Sequence, residues 1–257
     1  MMKTALLSVT LLLLFAGLAN SIGEVLRFPT SPSISDYVIL NDPDFERLES
    51  SFSLCSWVRP RKNGYSNGVW FSYQVSSSDD DEITISATNS WTDLFNTNLA
   101  SSATILPYDV WSHYCQTWDL ASRTIHVYLN GEEVANKYTT SGRKLKNGGV
   151  LVLGQDQNSR GGGFTSSETF SGDIYSLQIF DRKLPAEEVS NMFKSGRCAS
   201  LDLDLQESIV FDWDDFLYAN RYGNVKVEKG ACSQWELVRG IIDDHLLEHL
   251  MKDHKFN

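Results

Sequence analysis

Four groups of residues in this 257-residue chain carry donor atoms at spacings that could do chemistry. The first is an acidic run, Ser78-Asp79-Asp80-Asp81-Glu82; the second is a glycine-rich stretch from Gly154 to Gly163 that holds Asp156, Gln157 and Asn158. Clustered carboxylate and carbonyl oxygens suit a hard cation, which takes roughly six to eight such ligands. Either run alone reads more simply as a solvated loop. The third group, His245-Leu246-Leu247-Glu248-His249, fits H-x-x-E-H, in which two histidines one helical turn apart hold zinc and the glutamate activates water. Only eight residues follow His249, which leaves no room for a distant carboxylate ligand, and the same residues fit an amphipathic tail. The fourth, Asp202-Leu203-Asp204-Leu205-Gln206-Glu207, approximates E-x-D-x-x-E, whose flanking carboxylates act as nucleophile and general acid on a glycosidic bond. Its first position is Asp, and an acidic linker is the better reading. His113 and His126 read as strand residues, because spacing assigns no Ser/His/Asp constellation. The chain is therefore read as a non-enzyme.

Composition narrows the partners. The chain is 42% hydrophobic and 21% charged, with 17 Gly and 6 Pro, which excludes a disordered or collagenous protein. Its net charge of −11 has the wrong sign for phosphate backbones, so nucleic acid is not expected as the primary ligand. Met1-Met2-Lys3 followed by the apolar run from Ala5 to Ala16 and the small residues Ala19-Asn20-Ser21 make a secretory signal peptide over 1–21. No later stretch reaches spanning length, so a secreted, extracellular product without a membrane span is expected. In that oxidising setting Cys55, Cys115, Cys198 and Cys232 read as two disulfides. Four cysteines allow three connectivities, which spacing does not decide. Proximity favours Cys198 with Cys232, and a link between subunits stays open.

The elements that must position these groups are mostly strands. Ser51-Phe52-Ser53-Leu54-Cys55 and Thr124-Ile125-His126-Val127-Tyr128-Leu129 alternate with period two, and Asn130-Gly131 directly after the second is a tight-hairpin signal. Val150-Leu151-Val152-Leu153 is apolar throughout, as a strand buried on both sides would be. One helix is expected after Pro185, with Glu187 and Glu188 in its first turn, Val189, Met192 and Phe193 as its apolar stripe, and Gly196 as its end. A strand-like region follows from Ile209 to Val227. An amphipathic helix over 235–252 carries Leu237, Ile241, Leu246, Leu247 and Leu250. The fold class expected is all-β: an antiparallel two-sheet jelly-roll sandwich with one helix packed on a sheet and a C-terminal amphipathic helix.

His113-Tyr114-Cys115-Gln116-Thr117-Trp118 resembles the pentraxin signature H-x-C-x-[S/T]-W. The run from Gly154 to Phe164, then Gly172-Asp173-Ile174, is similar to that family's calcium loop and following strand, and Phe211-Asp212-Trp213 with Tyr218 and Gly223 resembles its last strands. The resemblance covers roughly residues 25–228. It implies a concanavalin/laminin-G-like sandwich and three segments: a signal peptide over 1–21, a pentraxin domain over 22–228, and a helical tail over 229–257. It also implies that Cys55 pairs with Cys115 as the family's bridge between the two sheets, with Cys198 and Cys232 additional.

The same resemblance implies one or two Ca²⁺ ions per subunit. Asp80 and Asp81 fall on ligand positions of the first loop, Asp156 and Asn158 on carboxylate positions of the second, and Gln157 on a position that donates its main-chain carbonyl. At the second ion a family Glu aligns with Thr165 and a family Gln with Glu168, so one carboxylate has moved. Ser86 aligns with the aromatic that supports choline in some members, and a serine offers little apolar contact. The function implied is calcium-dependent, lectin-like pattern recognition in innate immunity. Its ligands would be phosphate-bearing or carbohydrate groups on microbial or damaged-cell surfaces, bound multivalently by a cyclic homo-oligomer, a pentamer. The alternative is a laminin-G-like adhesive or structural module whose calcium is architectural.

Overall fold

In a computed structural model, residues 23–62, 68–76, 82–99 and 101–232 are described. The expected signal peptide, the tail helix over 235–252, the His245–His249 pattern, Asp80 and Asp81 lie outside them.

Two antiparallel sheets face each other. Sheet A runs in the order β10 (Glu132–Tyr138), β9 (Thr124–Leu129), β8 (Ser112–Asp119), β3 (Ser51–Pro60), β12 (Gly172–Phe180), β1 (Glu24–Phe28) and β15 (Lys226–Lys229), with β13 (Ile209–Phe211) paired to β12. Sheet B runs β14 (Asn220–Tyr222), β2 (Tyr37–Asn41), β11 (Val150–Leu153), β4 (Val69–Gln74), β5 (Ile83–Ser86), β6 (Thr92–Leu94) and β7 (Thr97–Asn98). Period-two patterning sends Phe52, Leu54, Ile125 and Val127 from sheet A, and Phe71, Ile83, Ile85, Leu151 and Leu153 from sheet B, into one core. Burying such side chains contributes about 1.5–3 kcal/mol each. The hairpin between β9 and β10 turns at Asn130 and Gly131, both at positive φ (52° and 81°), as a two-residue turn matched to strand twist requires.

Both outer faces are partly covered. On sheet B, Val150 and Val152 pack with Ile39 beneath Phe164, so β11 is buried on both sides as its composition predicts. On sheet A, helix α1 (Ala186–Ser195) lays Val189 and Met192 over Tyr128, Phe180 and the Cys55–Cys115 pair. Further along that face Asp173, fully buried, accepts hydrogen bonds from Arg27, Arg59 and Arg61. Three guanidinium groups meet the acceptor capacity of the one carboxylate, the condition for leaving a charge inside.

Two expectations change here, the plane of the first disulfide and the strand-like run from Ile209 to Val227. Cys55 and Cys115 do bond, but they are direct partners in the β3–β8 register with Cα atoms 4.1 Å apart, so the bridge joins neighbouring strands of one sheet and not the two sheets. The cause is alternation: Phe52 and Leu54 take the inner face and leave Cys55 on the outer. Cys198 bonds Cys232 within the subunit, the pairing that proximity favours, and ties the segment after α1 to the residues that follow β15. The strand-like region from Ile209 to Val227 is interrupted by helix α3 (Trp213–Leu217), so Phe211-Asp212-Trp213 crosses from strand to helix. Asp212 accepts from the N–H groups of Asp214 and Asp215 while Asp215 returns a bond to the Asp212 N–H, and Trp213, Phe216 and Leu217 are buried. Finally, Asp202–Glu207 forms a cap and a short helix, α2 (Leu203–Glu207), whose Asp202 side chain accepts from the Leu205 N–H. The carboxylates there do not line a strand as a glucanase pair would.

Candidate functional site

The second loop leaves β11 at Gly154. Its φ is +93°, and a Cβ would stand 2.2 Å from the Phe28 ring, so only glycine turns the chain here. Gly154 donates to the Trp70 carbonyl at 3.1 Å and accepts from the Phe170 N–H at 3.0 Å, which pins both ends of the loop to one point of the sandwich.

Inside the loop, polar side chains turn inward and hold the backbone. Gln155 Nε2 donates to the Ser33 and Asp36 carbonyls, both at 2.9 Å. Gln157 is 1% exposed: its Nε2 donates to the Ser72 carbonyl at 3.1 Å and the Val150 carbonyl at 3.0 Å, and its Oε1 accepts from the Gly161 N–H at 2.7 Å. The carboxamide is thus consumed on the outer face of sheet B, and the main-chain carbonyl is the donor this residue has left for a ligand. Arg160 pairs with Asp42 and donates to the Gly148 carbonyl, clamping the far side of the loop to the edge of β2.

Asp156 is 2% exposed and accepts a 3.3 Å hydrogen bond from Thr84 Oγ1. Thr84 lies on β5, the strand that follows the first acidic run in sequence, so this contact ties the second loop to that strand. Asn158 Nδ2 donates to the Gly163 carbonyl at 3.0 Å and reaches Glu168 Oε2 at 3.5 Å. Thr165 Oγ1 donates to the same Glu168 carboxylate. Thr165 and Glu168, the two positions between which the resemblance implies a moved carboxylate, are therefore hydrogen-bonded to each other. The second loop brings Asn158, Thr165 and Glu168 together, and Asp156 stands beside Asn158 in sequence. The set offers oxygen donors and no sulfur or imidazole, which fits a hard cation.

Ser86 lies at the end of β5. It is fully buried, and its Oγ accepts from the N–H groups of Thr88 at 3.3 Å and Asn89 at 3.2 Å, organising the turn after β5. Glu82, last of the acidic run, is 1% exposed and takes a two-pronged bond from Arg143 at 2.7 and 2.8 Å, with Lys146 at 3.5 Å. It anchors the loop exit. Thr84 was missed by sequence reasoning, although alternation with the core residues Ile83 and Ile85 places it on the outer face. Among the described residues, the one trio of His, Cys, Asp or Glu side chains close enough to share an ion is Cys55, His113 and Cys115, and there the disulfide removes the thiolates.

A family model described as the concanavalin A-like lectin/glucanases superfamily (Laminin_G_3) matches residues 32–190. The chain belongs to that superfamily. Within it, the similar proteins are pentraxins: neuronal pentraxin-2 of Cavia porcellus is 29% identical over 187 residues, 72% of this chain and 40% of the relative. The pentraxin fusion protein of Xenopus laevis is 33% identical over 115 residues, 45% of this chain and 26% of the relative. The chain thus spans about a quarter to two fifths of these relatives. The native heptameric SAP-like pentraxin of Limulus polyphemus superposes with a TM-score of 0.65 at 20% identity, covering 83% of this chain and 99% of that one, a likeness of fold. Among the described residues of this pentraxin-type chain, no helix is long and apolar enough to cross a membrane.

Proposed function

We propose that this chain is a secreted, non-catalytic recognition protein that uses Ca²⁺ to bind phosphomonoester or saccharide groups, acting multivalently in innate defence. The observation that supports the reading is the second loop, glycine-gated and internally braced, in which Asn158 and Thr165 hold the Glu168 carboxylate, the Gln157 carboxamide is spent on the backbone, and Asp156 is tied to Thr84 on β5. Asp80, Asp81, Asp156, Gln157, Asn158 and Glu168 would hold the metal. A bound calcium supplies a positive centre whose open coordination positions take anionic phosphate oxygens or neighbouring sugar hydroxyls. The protein's own residues do the positioning. Gln157 and Arg160 fix the loop backbone, Thr84 orients Asp156, and Thr165 with Asn158 orients Glu168.

Single sites of this kind are weak, and a cyclic homo-oligomer supplies avidity. A ring is supported by the sandwich shared with the Limulus protein, which is described as heptameric; a pentamer is the ring proposed for this chain. The helical placement of Asp202–Glu207 supports the non-catalytic reading.

The test is retention on immobilised phosphoethanolamine and mannan in calcium buffer, followed by a chelator. Release by the chelator is expected. Retention that ignores it would favour the adhesive laminin-G-like module with architectural calcium.

A further inference from the structure

A cavity of about 230 Å³ opens on the outer face of sheet A, on the opposite side of the sandwich from the second loop. Its floor is Trp57 and His113, cross-strand neighbours on β3 and β8 with ring centroids 5.1 Å apart, and Met192 and Leu205 close it with apolar surface. The mouth lies between α1 and the segment leading to α2, among the exposed residues Asn191 and Ser200.

Three observations mark it as built for a ligand. His113 is 2% exposed, yet its Nδ1 has no hydrogen-bond partner among the described residues, and its Nε2 has only Cys115 Sγ at 3.9 Å. A buried polar atom left without a partner costs about 1–3 kcal/mol, a cost an incoming donor or acceptor would remove. On the adjoining wall β12 carries a bulge between Tyr175 and Gln178, within which Ser176 holds φ = +54°, a conformation a serine rarely adopts. The bulge turns Ser176 and Gln178 toward the cavity, where Gln178 Nε2 donates to Ser176 Oγ at 3.1 Å. The charged groups around the cavity are already engaged: Glu188 with Arg182, Asp202 with the Leu205 N–H, and Arg197 with the Ala231 carbonyl.

Burial drives the His113 pKa down to about 4, so the floor is neutral at physiological pH. A charged ligand would lose its hydration there without compensation. The volume falls below the roughly 300–1,000 Å³ of pockets for drug-sized molecules, so the occupant is compact. The Trp57 indole, with the Arg197 guanidinium carbon 5.9 Å from its ring centroid, and the neutral hydroxyl, amide and imidazole groups around it suit a molecule with C–H groups on one side and hydroxyl or amide groups on the other. We infer that this cavity is a second, metal-independent site for a single uncharged sugar ring, seated against Trp57 beside the Arg197 guanidinium, with a hydroxyl or acetamido group toward the His113 imidazole. The inference does not rest on the calcium reading, since the two sites lie on opposite faces.

Saturation-transfer NMR on the full chain in excess chelator tests it, with methyl α-mannoside, methyl β-galactoside and N-acetylglucosamine as probes. At least one sugar is expected to show transfer without calcium. Asn191→Trp and Ser200→Trp, which place bulk at the mouth from exposed positions, should abolish the signal with the circular dichroism unchanged. His113→Phe should weaken binding about tenfold, the scale of one lost hydrogen bond. Absence of transfer from all three sugars, transfer unaffected by both mouth variants, or a signal that appears only with calcium would each overturn the proposal.

Discussion

Thr165 and Glu168 are the positions at which the resemblance implies a displaced carboxylate, and they bond to each other. The Thr165 hydroxyl donates to Glu168, so the acid is held by the very position that an aligned pentraxin glutamate would occupy. Thr165→Glu removes that donor and sets two like charges together, which calcium would relieve. The variant should melt below wild type in chelator and gain more in Tm on adding calcium. Equal shifts for the two proteins would show that residues 165 and 168 do not share an ion. His113 supplies a second prediction at this scale. Its folded pKa of about 4 lies below the unfolded value near 6.5, so the unfolded chain binds more protons between these values. The stability from burying neutral His113 is full above pH 6.5 and declines as pH falls toward 4, by about 3 kcal/mol in all. Urea midpoints measured at pH 7 and pH 4 should therefore fall further for wild type than for His113→Phe.

At the scale of elements, the loop from Gly154 to Phe170 depends on a close approach that one methyl group prevents. Gly154→Ala should cost about 1–3 kcal/mol, through both the positive φ and the Phe28 contact, and should weaken calcium binding with it. Denaturant unfolding with and without calcium measures both effects. The strands were legible wherever alternation and a turn signal coincided, as at Thr124–Leu129 with Asn130-Gly131. Helix α1 was legible from Pro185, the acidic first turn and Gly196. Helix α3 was not, because Phe211, Trp213 and the following aromatics read as another strand; the Asp212…Asp215 capping box was the available signal. The plane of the Cys55–Cys115 bridge depended on which strands are neighbours, a long-range property that alternation alone does not reveal. Much the same holds for Ser86 and Thr84. Alignment suggests a position in the chain, whereas the turn after β5 decides that Ser86 Oγ faces backbone N–H groups and that Thr84 faces Asp156.

At the scale of the whole molecule, the Cys198–Cys232 bridge spans 34 residues and joins the last described strand to the segment that walls the sheet A cavity. Replacing both cysteines by serine should lower stability by about 3–4 kcal/mol, read as a drop in denaturant midpoint. The apolar positions Leu237, Ile241, Leu246, Leu247 and Leu250 would be costly to leave exposed on a ring subunit. Truncation after Ser233 retains the disulfide, and light scattering should report a smaller assembly; an unchanged mass per subunit count would remove the tail from the contacts. The two outer faces of the sandwich carry different chemistry, acidic oxygens on sheet B and a neutral aromatic cavity on sheet A, so a ring would present each as a separate array. The claim on which this arrangement depends is that the sheet B loop is a calcium platform. Calorimetric titration of Ca²⁺ into wild type and Asp156→Ala tests it most directly. Saturable binding to wild type, lost in a variant whose circular dichroism is unchanged, is the expected result; equal calcium affinity for both proteins would contradict it.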